Sequence, residues 1–112
     1  HHHPLPAGCG WLDQHSLRNA QELANVLVRY PQVKYLLCGH IHQEQNLDWN
    51  GRRLLATPST CVQFKPHCFN FTLDSAAPGW RWLELCADGT LHTEVCRLQS
   101  TQFRPDTASE GY

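Results

Sequence analysis

Methionine is absent from these 112 residues. Translation starts on Met, whereas this sequence opens on His1-His2-His3, so it reads as the C-terminal part of a longer protein, with processing of an initiator as the plainer alternative. Charge of either sign is sparse. Nine Lys and Arg stand against ten Asp and Glu, and no basic run exceeds Arg52-Arg53, which removes the electrostatic basis for nucleic-acid binding. No stretch approaches the ~18 apolar residues of a membrane helix, so no membrane contact is expected. C-x-x-C pairs are missing too. The six cysteines are scattered, and Cys38, Cys86 and Cys96 fall in or at the ends of apolar runs where a free thiol packs as a small hydrophobe. They read as reduced thiols of a cytoplasmic protein. There is no internal repeat, and a hydrophobic content of 41% supports one modest core.

What the chain does have is histidine in informative places. Cys38-Gly39-His40-Ile41-His42 follows the apolar run Val33-Lys34-Tyr35-Leu36-Leu37, so two imidazoles sit where a strand leaves a sheet. A bend after Gly39 lets both rings turn toward one point or toward two adjacent metal ions, while Ile41 packs inward. Ordinary loop histidines are the plain alternative. Cys38 is near enough to act as a soft zinc ligand, although its strand position favours core packing. A second cluster, His1-His2-His3-Pro4-Leu5-Pro6, resembles a purification-tag scar in its histidines only; the prolines disfavour helix and make it a strand end followed by a rigid loop.

Between these clusters, Gly8 to His15 reads as irregular surface structure with a short helical turn, and His15 as a solvated loop residue. Asn19-Ala20-Gln21-Glu22 has capping-box form, and Leu23, Val26, Leu27 and Tyr30 follow helical spacing, which predicts an amphipathic helix closed by Pro31. A buried strand over Val33–Cys38 then gives an α/β layer, with the histidines beyond a strand's carboxyl end, where ligand sites of open α/β sheets lie. Gln45–Trp49, Asn50-Gly51 and Arg52–Ala56 predict a hairpin on a type I′ turn, with Arg52 and Arg53 solvated. Short strands are expected within Cys61–Phe64 and Asn70–Leu73. A second hairpin joins Trp80–Cys86 to Thr90–Leu98 through Asp88-Gly89, with Trp80, Trp82, Leu83 and Leu85 set against outward Arg81 and Glu84. Residues 99–112 read as a polar tail.

The histidine cluster before Pro-Leu-Pro, the GHxH element, and Asn50-Gly51-Arg52-Arg53-Leu54-Leu55-Ala56-Thr57-Pro58-Ser59-Thr60-Cys61-Val62-Gln63-Phe64 together resemble the C-terminal portion of the bacterial class III 3′,5′-cyclic AMP phosphodiesterases, in the calcineurin-like metallophosphoesterase superfamily. The resemblance implies an α/β fold, residues 1–98 being the C-terminal part of a four-layer α/β/β/α sandwich and 99–112 a tail. It implies hydrolysis of cyclic AMP to 5′-AMP at two divalent metal ions, iron or manganese, with a small-molecule cyclic nucleotide as the partner and no protein partner. His40 and His42 are carried over as ligands to the second and first metal, and His1 as the upstream ligand if Pro4-Leu5-Pro6 is aligned without a gap; the spacing H-x-P would select His2 instead. Ser59 and Thr60, with His42, are candidate substrate contacts, and Phe64 either contacts the nucleotide or packs in the core. The D-x-H, GD and GNH-[DE] blocks of the superfamily are not in these residues, so the segment alone is expected to be inactive. A phosphodiesterase for glycerophosphodiesters or other phosphoesters, and a non-catalytic metal-binding module, are the alternatives.

Overall fold

A computed structural model describes residues 1–100, 102 and 104–111. Thr101, Phe103 and Tyr112, which belong to the expected tail, lie outside the described residues. The described residues form a mixed α/β structure of two short helices, α1 (Gly10–Asp13) and α2 (Ala20–Val28), and seven strands: β1 (Tyr35–Cys38), β2 (Gln45–Trp49), β3 (Arg52–Ala56), β4 (Gln63–Phe64), β5 (Leu73–Asp74), β6 (Gly79–Leu85) and β7 (Leu91–Arg97). The central sheet has the order β1-β3-β2. β2 and β3 form the expected hairpin, in register from Gln45 against Ala56 to Trp49 against Arg52. Asn50 and Gly51 take φ of 54° and 77°, the left-handed pair that a type I′ turn requires.

β1 lies parallel to β3, Tyr35 opposite Arg53 and Cys38 opposite Ala56. Parallel strands need a crossover, and here the segment between them turns through the GHxH element and β2 before returning as β3. The consequence is positional. The carboxyl ends of β1 and β3 lie side by side, so the loops that follow them, Gly39–His42 and Thr57–Thr60, leave the sheet at one edge. Thr57 N–H donates to Cys38 O at 3.2 Å and ties the two exits together.

Several expectations need correction. Leu23 and Leu27 face the core as expected, but they are joined there by Ala20 and Ala24, whereas Val26 and Tyr30 are exposed. Ala24 and Leu27 are the residues of the helix that belong to the core cluster, with Ala20 and Leu23 packed against it. Asn19 stands at the N-cap with no side-chain capping bond. β1 is shorter than expected and an outer strand of its sheet, so Leu37 is half-exposed rather than buried. The short helical turn expected within residues 8–15 is α1, and Gly8, Gln14 and His15 are exposed, but Cys9 and Leu12 are fully buried, because α1 packs its apolar turn into the core.

The two arginines of the hairpin differ. Arg52 is not free in solvent: its Nε donates to Val33 O at 2.9 Å and its Nη2 to Leu27 O at 2.6 Å, so the guanidinium ties a carbonyl of the last turn of α2 to one just before β1. A cation there also complements the helix dipole. Arg81 is the inward residue of β6, donating from Nη2 to Ala56 O at 2.8 Å and from Nη1 to Thr93 Oγ1 at 3.0 Å, with burial pulling its pKa below the usual value. Trp80, Trp82, Leu83 and Leu85 of the same strand are exposed instead. All six cysteines are free thiols, with Cys9 and Cys38 in the core and the Cys38 pKa raised by burial. Among the described residues no helix is long and apolar enough to cross a membrane.

Arg52→Ala is expected to destabilise the chain by about 1–2 kcal/mol, since it removes the side-chain donor from Val33 O and the second donor from Leu27 O, which keeps the Tyr30 N–H at 2.9 Å. Arg53→Ala, which loses one exposed bond to Asn46 Oδ1, should stay within about 0.5 kcal/mol. Urea unfolding of the two variants measures the difference.

Candidate metal centre

The sequence pattern that leads into the site is a strand of apolar residues ended by glycine. Gly39 N–H donates to His1 O at 3.2 Å, and a Cβ at Gly39 would stand 3.3 Å from Nδ1 of the His1 ring. Glycine is therefore what allows the first histidine cluster to lie against the second. Beyond it, His40 and His42 take φ of 58° and 49°. Left-handed backbone is unfavourable for side chains with a Cβ, and two such residues flanking one position mark a tightly determined bend. Ile41 between them is fully buried and pins the bend to the core.

The rings converge on His40. Ring centroids of His1, His2 and His3 lie 5.1, 4.5 and 5.7 Å from that of His40, and His15 lies at 6.5 Å. Nε2 of His40 is buried with no hydrogen-bond partner. Burial pushes the His40 pKa down to about 4, with the neighbouring His2, His3, His15 and His42 acting in the same direction. The imidazole is thus neutral near pH 7, the form that binds a metal. His42 has a different support: its Nδ1 lies 2.9 Å from Val62 O, and its ring is stacked on Phe64 with centroids 4.2 Å apart and planes 4° from parallel. A carbonyl partner requires the proton on Nδ1, so the lone pair of His42 is on Nε2. Phe64 packs in turn against Trp11 and Phe71 and is buried behind His42.

Two concavities meet at these rings. One, of about 480 Å³, is lined by His1, His15, His40, His42, Trp11 and Phe64. The other, of about 420 Å³, carries His1, His40 and His42 together with Ser59, Thr60 and Trp80. His1, His40 and His42, separated by about 40 residues in sequence, therefore line both, and Ser59 and Thr60 face the same space. His2 lies closer to His40 in ring distance but lines neither, so the geometry leaves the upstream partner as His1 by shared cavity and His2 by proximity. Ser59 Oγ accepts from Cys61 N–H at 3.0 Å, and Gln63 is bonded to both the N–H and the carbonyl of Ser59, so this loop is fixed by its own side chains.

The donor set consists of neutral imidazoles, one with an orphaned buried nitrogen and one with its tautomer fixed by a backbone carbonyl. Both are suited to a divalent cation. Among the described residues no three His, Cys, Asp or Glu side chains are arranged as a complete site. The histidines fit as part of a metal shell rather than as the whole of one. Sequence reasoning missed Asp13 and its pairing with His3, which is buried on the histidine side, while His15 is exposed as expected and lines the rim of the first concavity.

No protein-family model matches the chain. Among curated proteins, the chain is 81% identical over all 112 residues to the 3′,5′-cyclic adenosine monophosphate phosphodiesterase CpdA of Escherichia coli (strain K12), covering 41% of that protein. The resemblance to cyclic AMP phosphodiesterases holds along the whole chain. The protein of the same name from Haemophilus influenzae is 55% identical over the same 112 residues, again with 41% of its length covered. A 3′,5′-cyclic-nucleotide phosphodiesterase of Nostoc sp. is 45% identical over 98 residues, 88% of this chain and 37% of that protein. The chain thus spans less than half the length of these relatives. A Vps29 mutant from Entamoeba histolytica is matched at 23% identity and a TM-score of 0.33, over 81% of this chain and 53% of that one.

The burial of His40 has a consequence for stability. Its native pKa of about 4 lies below the ordinary 6.5, so between these values the unfolded chain holds a proton that the folded chain does not. Stability is then complete above pH 6.5 and is lost as pH falls toward 4. His3 and His42, also lowered by burial, add in the same direction. Urea midpoints at pH 7, 5.5 and 4 should fall in that order for the metal-free chain, and His40→Asn should flatten the decline.

Proposed function

We propose that this chain is the C-terminal part of a cyclic nucleotide phosphodiesterase that hydrolyses 3′,5′-cyclic AMP to 5′-AMP at a dinuclear metal centre in the cytoplasm. The observation that carries the reading is the 81% identity to a cyclic AMP phosphodiesterase over all 112 residues. Residues 1–98 would form part of a four-layer α/β/β/α sandwich, with 99–112 following as a tail. His40, His42 and His1 would supply ligands, and the remaining donors would come from the part of the relatives that this chain does not span. Iron or manganese suits imidazole and carboxylate donors. Bound there, two cations would offset the charge of the phosphodiester and make a bound water a nucleophile at neutral pH.

The residues of this chain have separable tasks in that reaction. His40, desolvated and neutral, presents a lone pair without competition from protons over the physiological range. His42 is oriented by Val62 O and walled by Phe64, so its Nε2 direction is set before any ligand arrives. Such preorganisation lowers the reorganisation needed on binding. Ser59 and Thr60 stand on the neighbouring loop, where hydroxyls can hydrogen-bond sugar or phosphate oxygens.

In the whole protein, His40→Ala and His42→Ala are each expected to lose at least the ~10- to 100-fold typical of disturbing a metal site's outer shell, together with bound metal. His67→Ala and His92→Ala, both at exposed positions, should retain activity and metal. Cyclic AMP turnover with metal analysis of each variant tests this, and near-normal turnover and metal content in His42→Ala would remove the proposal. The 112-residue chain by itself is expected to show no cyclic AMP hydrolysis, since three histidines cannot hold and bridge two metals. Chelator-insensitive turnover by the purified segment would contradict it.

A further inference from the structure

Behind the histidine cluster lies a polar pair that the proposed function does not use. His3 is 2% exposed, and its Nε2 lies 3.2 Å from Asp13 Oδ1. The same carboxylate accepts the N–H groups of Ala7 at 2.6 Å and Gly8 at 3.1 Å, while Leu17 N–H donates to His3 O at 2.9 Å. Ring and backbone of His3 are both fixed from α1 and the segment after it. A carboxylate at Nε2 requires the proton there, which leaves the lone pair on Nδ1, and Nδ1 is buried with no hydrogen-bond partner. An apolar residue would fill this place without burying an unpaired nitrogen. The His3 ring lies 22° from parallel to that of His40, at a centroid distance of 5.7 Å, and the Nε2 of His40 is likewise buried and unpartnered.

We infer that Asp13 and His3 are positioning residues for His40: the carboxylate fixes the plane of the His3 imidazole, and that ring, lying against His40, holds the His40 ring in the orientation in which it binds metal. The inference rests on the metal-centre reading above. His40 needs such a support because its left-handed backbone and unpaired Nε2 give it no hydrogen bond of its own to fix the ring, in contrast to His42, whose Nδ1 is held by Val62 O. A purely structural pair would stabilise the Ala7–Gly8 turn and nothing more.

The test is Co²⁺ titration of the whole protein, read by visible absorption, with imidazole ¹⁵N spectra of the metal-free form. His3→Phe keeps a ring of similar shape but has no donor for Asp13, and is expected to weaken Co²⁺ binding about 10- to 100-fold and to shift the His40 nitrogens. Asp13→Asn, which retains an acceptor oxygen for the turn, should weaken it about 10-fold. The double variant should be no weaker than His3→Phe alone, because both act through one contact. His92→Phe reports the effect of removing an ordinary exposed histidine. If His3→Phe fails to fold, the ¹⁵N shifts and Co²⁺ affinity of Asp13→Asn decide. Co²⁺ affinity in both variants within twofold of the parent, or losses that simply add in the double variant, would overturn the inference. Affinity unchanged in His40→Ala is the separate result that removes the metal-centre reading, and this inference with it.

Discussion

The parallel pairing of β1 with β3 is the constraint from which the site follows. Antiparallel neighbours would send their carboxyl ends in opposite directions, and the GHxH element and the Ser59–Thr60 loop would then lie at opposite edges of the sheet. With Cys38 opposite Ala56, both loops leave together. The hairpin partner β2 makes this affordable, because it covers the other side of β3 with a full antiparallel ladder and buries Leu54, Leu55 and Ala56. Arg81 then crosses from β6 to Ala56 O, binding the second hairpin to the same edge. Sheet, hairpin and loops thus form one mechanical unit, and the histidines hang from its rim.

Much of this was legible in the sequence where local chemistry decides the outcome. Asn50-Gly51 fixes a turn by the φ its residues tolerate, and the strands on either side were bounded by the turn. The same holds for the placement of His40 and His42 beyond a strand end, because an apolar run ended by Gly and His leaves few other structures. What was not legible depends on partners distant in sequence. Arg52 reads as a surface cation beside a turn, and nothing near it says that the carbonyls of Leu27 and Val33 will arrive at its guanidinium. Arg81 was misread for the same reason. Side-chain size points to Val26 and Tyr30 on the inner face of α2, whereas Ala24 is the buried residue there beside Leu27, and which neighbour of Leu23 and Leu27 turns inward depends on contacts distant in sequence.

The site divides along the same line. His1, His40 and His42 were identified as one group by resemblance and by strand topology, and they do line common space. His3 and Asp13, ten residues apart with a proline loop and a helical turn between them, carry no spacing signal. Their contact exists because α1 packs Leu12 into the core and thereby brings Asp13 back over the start of the chain. Phe64 takes part in the site through its packing, its ring parallel to that of His42, a contact that no spacing in the sequence announces.

The backbone at His40 and His42 shows how such a bend is maintained. Each left-handed residue with a Cβ costs roughly 1–2 kcal/mol, so the pair costs about 2–4 kcal/mol. Full burial of Ile41 between them contributes about 1.5–3 kcal/mol, enough to offset most of that locally. The alternation of strained, buried, strained residues is thus self-consistent: Ile41 cannot reach the core unless its neighbours turn outward, and the histidines cannot hold their left-handed setting unless Ile41 anchors it. An H-x-H in which the middle residue were polar would lose the anchor and relax, and its two rings would no longer be directed toward common space. The apolar residue between the histidines is therefore as much a part of the candidate centre as the imidazoles.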